Sequence, residues 1–106
     1  VDSNDENELL EYREKVVAEL ERRAIRLREI EAHVARTQAS IDSVGGGRKI
    51  MAGGTARIQV EAAHKAKLKE VLRGLYQERE LAVSDLRKAE VRLQEVDARL
   101  EELQVE

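Results

Sequence analysis

The chain has 106 residues, enough for one small domain, with no Pro, no Cys, no Phe and no Trp. Tyr12 and Tyr76 are the only aromatics and 39% of residues are charged, which excludes an aromatic-filled globule and favours a helical object with a narrow core. The formal charge of −3 is modest, and the absence of Cys excludes disulfides, thiolate metal sites and Cys nucleophiles together.

Residues 1–44 carry 11 acids and 7 bases, and residues 58–106 carry 11 acids and 9 bases. Arg48, Lys49 and Arg57 supply three bases to the link between them, without an acid. Such mixing gives no one-signed face of the kind that binds a nucleic-acid duplex. No apolar run approaches the roughly 18 residues of a membrane span. There is no signal-peptide pattern, and the chain opens on Val rather than Met, as a processed or trimmed piece does. A reducing, cytoplasmic setting fits this composition.

The opening stretch Asp2-Ser3-Asn4-Asp5-Glu6 is acidic, and Ser3 with Glu6 matches a capping box. A first helix is predicted from about residue 4 to 44. Its apolar seam steps alternately by four and three through Leu9, Arg13, Val16, Leu20, Arg23, Leu27, Ile30, Val34, Thr37, Ile41 and Val44. Only Arg13, Arg23 and Thr37 interrupt it. This spacing keeps one stripe facing a partner helix. The outer positions are Glu and Arg at helical spacings and form a solvated face.

Residues 45–54 include five glycines and form a flexible turn that ends the first helix. A phosphate-binding loop is the competing pattern there, but Gly47 and Gly53 enclose five residues rather than four. Gly54 also stands where that motif needs Lys. Thr55 is a candidate cap for a second helix over about 55–104. The second seam reads Leu68, Leu72, Leu75, Arg79, Ala82, Leu86, Ala89, Leu93, Val96, Leu100 and Leu103. Gly74 falls off this seam and costs the helix about 1 kcal/mol relative to Ala.

Two seamed helices joined by one turn predict an all-α fold, an antiparallel two-helix coiled-coil hairpin spanning residues 1–106 as one domain. With the turn centred near residue 50, residues whose numbers sum to about 99 lie level. Arg13 then meets Asp85 and Leu86, and Arg23 lies near Tyr76 and Gln77. The polar seam residues Arg13, Arg23, Lys65 and Arg79 act as register devices. The same register leaves the end of the second helix without cover, so Leu93, Val96, Leu100 and Leu103 become the expected partner-binding residues. The alternative is that residues preceding Val1 in a longer chain cover them. Extra apolar residues beside the seam (Leu10, Val17 and Ala24; Ala62, Val71 and Val83) widen the stripe toward that of a four-helix bundle, hence a homodimer.

Chemistry is sparse. The serines are spread along helix ends and surfaces, away from any base, and no enzyme is predicted. The register above sets His33 beside His64 with Glu61 one turn away, a donor set that zinc accepts. The competing reading is two half-exposed rim histidines, and no metal or cofactor is assigned.

Two long helices, a small polar turn, few aromatics and a longer second helix resemble the ATPase-stalk proteins of bacterial type III secretion, the FliJ and YscO type. The likeness is carried by Ala62-Ala63-His64-Lys65-Ala66-Lys67-Leu68. It continues in Leu86-Arg87-Lys88-Ala89-Glu90-Val91-Arg92-Leu93, leading into Leu100-Glu101-Glu102-Leu103. The resemblance implies a cytoplasmic protein that docks on a hexameric export ATPase or an export-gate subunit, through its paired termini and charged helix faces. A dimeric coiled-coil scaffold, or a coiled-coil segment of a larger protein, is the alternative expectation.

Overall fold

A computed structural model describes residues 3–44 and 54–105 of the chain. It contains two helices, α1 over Ser3–Ser43 and α2 over Gly54–Val105. The fold is an all-α helical hairpin. Both helices follow the predicted spans to within a residue at each end. The glycine-rich turn lies outside the described residues, except that Gly54 already opens α2. Thr55 therefore sits inside the first turn and not at its cap.

The end of α1 is closed locally. The Val44 amide donates to the Ile41 carbonyl at 3.2 Å. The Ser43 hydroxyl donates to the Ser40 carbonyl at 2.9 Å. Both bonds satisfy carbonyls that a helix C-terminus leaves without intrahelical donors. One turn earlier, Gln38 donates to Asp42 at 3.0 Å, an i,i+4 brace on the same face.

The chain divides into two compact units, residues 1–28 with 81–106, and residues 29–80. In the first unit the buried side chains are Val16, Ala82, Ala89, Val96 and Leu100. Ala89 is wholly buried, at 0% exposure, and its single methyl lets the two helix backbones approach closely. In the second unit they are Ile30, Thr37, Ile41, Leu72 and Leu75. All ten lie on the two predicted seams. Of the remaining described seam residues, only Arg23 and Arg79 are exposed, while Leu9, Arg13, Leu20, Leu27, Val34, Val44, Leu68, Leu86, Leu93 and Leu103 are half-buried. The two-in-seven spacing thus places the core on one side of each helix, and a residue on that side is buried where the other helix lies opposite it.

Among the described residues Thr37 is the one buried polar residue, no buried side-chain polar atom lacks a hydrogen-bond partner, and no large side chain is fully buried. The core is therefore a single stripe, one layer deep, with water never far from either edge.

Candidate interaction surface

Ion pairs cross between α1 and α2 in the first unit and fix how the helices align there. Arg13 Nε donates to Asp97 Oδ1 at 2.6 Å. Arg92 donates from both terminal nitrogens to the Glu19 carboxylate, at 3.4 and 3.5 Å. Arg23 Nη1 reaches Asp85 Oδ2 at 3.4 Å, and its Nη2 reaches Glu19 at 3.5 Å. Numbers rise along α1 as they fall along α2, so the pairing is antiparallel.

The numbers in these cross-pairs sum to between 108 and 111, not 99. The alignment is displaced by about eleven residues, or three turns, from one centred on the glycine cluster. Arg13 meets Asp97 instead of Asp85, and Arg23 meets Asp85 instead of Tyr76. The physical reason is that a connecting segment does not dictate register. Seam packing and the charges flanking it do.

The displacement overturns the expected overhang. Val96 and Leu100 are buried, at 5% and 8% exposure, and Leu93 and Leu103 are half-buried. The first turns of α1 cover them. Leu103 lines a shallow cleft with Leu9, bordered by Asp5, Glu8 and Arg99, where the two helix termini meet. These four apolar residues belong to the core and do not form a free apolar end.

Exposed apolar surface lies elsewhere. In the first unit, Leu81 is 68% exposed and Val91 49%. With Ser84 and Lys88 they follow the spacing i, i+3, i+7, i+10, a straight stripe on the side of α2 away from the seam. Val91 sits in a shallow, mostly apolar depression bordered by Ser84, Arg87, Lys88 and Arg92. The seam dominates the sequence pattern and hides this second stripe, whose signal is only two strong apolar residues ten positions apart. Leu10, Tyr12 and Ile25 are the exposed apolar residues of α1 in that unit.

The residues that widen the seam divide in two. Val17, Ala24 and Val83 are half-buried, whereas Leu10, Ala62 and Val71 stay exposed. In the second unit Ile58, in step with the seam, is 47% exposed and Val60 is 68% exposed, although Ile41 near the end of α1 is buried. Cover over α2 thus fails at its first turns instead of its last. Arg79 leaves its seam position and lies over its own Tyr76 ring, 5.0 Å from the centroid, a cation–π contact that shields its stem.

His33 and His64 are both exposed, and among the described residues no group of three His, Asp or Glu side chains is arranged to hold a metal ion. Among the described residues no helix is long and apolar enough to cross a membrane. The arrangement is that of a two-helix coiled-coil hairpin with two exposed apolar residues, Leu81 and Val91, on the outer side of α2. No family model, no curated protein and no solved structure matches the chain.

Proposed function

We propose that the chain is a non-enzymatic coiled-coil interaction protein of the cytoplasm, which offers its outer α2 stripe to a helical protein partner. The observation that carries this reading is the pair Leu81 and Val91, exposed at 68% and 49% and aligned with Ser84 and Lys88 on one helix face. Two exposed apolar residues on one helix face, with Ser84 and Lys88 between them, offer anchors at either end of a docked helix. Arg87, Lys88 and Arg92 around Val91 suit a partner whose facing helix is acidic. The most concrete form of the proposal is a stalk or escort factor that docks on a type III secretion export ATPase or export-gate subunit. The pattern resemblance over residues 62–68, 86–93 and 100–103 supports it.

Co-purification with a type III export ATPase at low salt tests this form. Retention that is lost on Leu81→Glu supports it, and no retention at low salt counts against it. A second reading, a dimeric scaffold, is favoured by the apolar residues left exposed beside the seam, Leu10 and Val71.

A further inference from the structure

In the first unit, the faces of α1 and α2 that point away from the seam carry opposite charge. On α1 a stripe of Glu11, Glu14, Ala18, Glu21, Ile25 and Arg28 steps alternately by three and four, nearly half a turn from the seam. All six residues are exposed, Ile25 at 52%, and Leu10, exposed at 44%, borders the acidic end. Arg28 is the stripe's only base, while Lys15 and Arg22 lie along its edge away from Leu10. On α2 the stripe of Leu81, Ser84, Lys88, Val91, Glu95 and Ala98 has the same spacing, and every residue in it is exposed. Arg87 and Arg92 border it around Val91, and Glu95 is its only acid. Each stripe runs about 25 Å along its helix. Arg92 turns to Glu19, whereas Glu11, Glu14, Arg87 and Lys88 form no side-chain ion pair among the described residues. Their charges are left pointing outward.

Resting on the reading of the Leu81–Val91 face as a docking surface, we infer that its partner is the acidic α1 stripe of a second copy of this chain. The approach is antiparallel, with Glu14 opposite Lys88. That alignment sets Glu8 opposite Arg92 and Lys15 opposite Asp85, so both edges of the α1 stripe meet charges of opposite sign. Leu10 lies beside Val91, and Glu95 falls opposite the uncharged Asn7. Two α2 stripes brought together would set the bases around Val91 against bases, and two α1 stripes would set glutamates against glutamates.

The contact is head to tail. Both stripes face away from the seam and therefore away from each other, so two joined copies still leave one α1 stripe and one α2 stripe unmatched. Further copies add to those ends, and the assembly stays open.

The test is sedimentation equilibrium on the full chain over a wide concentration range, at low and high salt. Glu11→Lys with Glu14→Lys leaves Glu21 as the only acid in the α1 stripe and turns it basic. Arg87→Glu with Lys88→Glu leaves Arg92 as the only base at the α2 stripe and turns it acidic. All four side chains are exposed and off the seam, so helicity by circular dichroism should match the unaltered chain. At low salt the mean mass of the unaltered chain is expected to rise past that of a dimer with concentration, and to fall toward the monomer at high salt. Either two-residue variant alone should stay monomeric. The chain carrying all four reversals should associate again, because its stripes are complementary once more. A monomeric unaltered chain overturns the inference, and so does an assembly that stops at a dimer. It is equally overturned by a two-residue variant that associates like the unaltered chain, or by a helical four-residue variant that stays monomeric. A monomeric chain that captures an export ATPase and loses it on Leu81→Glu would remove this inference and leave the docking face to another protein.

Discussion

Glu19 on α1 accepts hydrogen bonds from Arg92 on α2, and it shares its carboxylate with Arg23 one turn along its own helix. Arg23 in turn reaches Asp85. The resulting chain of four charges stitches the first unit together across the seam. The exposure of these side chains runs from 25% to 44%, so each contact alone is worth no more than about 1 kcal/mol. Their larger effect is on alignment. Sliding one helix by a heptad toward lower α2 numbers would bring Glu19 opposite Asp85. Sliding it the other way would bring Arg23 opposite Arg92. Each slip therefore sets one like-charged pair opposite, although the first also brings Arg13 opposite Glu90 and Arg23 opposite Glu78, and the second brings Glu19 opposite Arg99.

Reversing one charge of the central pair should therefore cost more than neutralising it. Glu19→Lys is expected to destabilise the hairpin by about 1 kcal/mol at low salt, and Arg92→Glu by a similar amount. The double reversal should recover most of the loss, read as thermal midpoints at low ionic strength. Equal midpoints for the single and double variants would show that the pair carries no alignment energy.

The seam was legible from the amino acids alone, and the register was not. Heptad spacing is a local property, and it placed Val16, Ile30, Thr37 and Ile41 on one side of α1 and Leu72, Ala82, Ala89 and Val96 on one side of α2. Register is a relation between distant segments. Packing layers alone permit several alignments, which differ in the residues left uncovered at the helix ends. The alignment centred on the glycine cluster sets Glu19 level with Glu80, whereas the observed one sets it against Arg92, a comparison that the position of the turn does not make. The expected exposure of Leu93, Val96, Leu100 and Leu103 rests on the register rather than on their own spacing, and it fails with the register. Leu81 and Val91 escaped notice for a different reason. Two apolar residues ten positions apart are a faint signal beside eleven in a line.

The corrected burial predicts an asymmetry between two leucines of α2. Leu100→Ala should destabilise by about 2 kcal/mol, at the low end for a core leucine because water reaches the edge of the stripe. Leu81→Ala should stay within about 0.5 kcal/mol of the unaltered chain. Chemical denaturation at fixed protein concentration measures both. Equal losses would mean that the α2 terminus lies open.

Gly74 gives a prediction of opposite sign. A Cβ built there meets nothing within 4 Å, so an added methyl has room. Gly74→Ala should raise stability by about 1 kcal/mol through helix propensity. A lowered midpoint would indicate a close approach at that point by another copy or partner.

The cation–π contact of Arg79 with Tyr76 is an internal brace on α2. Tyr76→Ala is expected to cost about 0.5–1 kcal/mol, and Arg79→Lys should retain part of the contact. A melt unchanged by Tyr76→Ala would remove the brace.

The alignment of the two helices is the claim on which the buried end of α2 depends. Spin-label distances on the otherwise Cys-free chain test it, using exposed positions away from every ion pair. One doubly labelled chain carries Glu14→Cys with Ala98→Cys, and the other carries Glu14→Cys with Ser84→Cys. Residues 84 and 98 are separated by about 21 Å along α2. The alignment reported above predicts that the 14–98 distance is clearly the shorter of the two; a 14–84 distance shorter than 14–98 would contradict it.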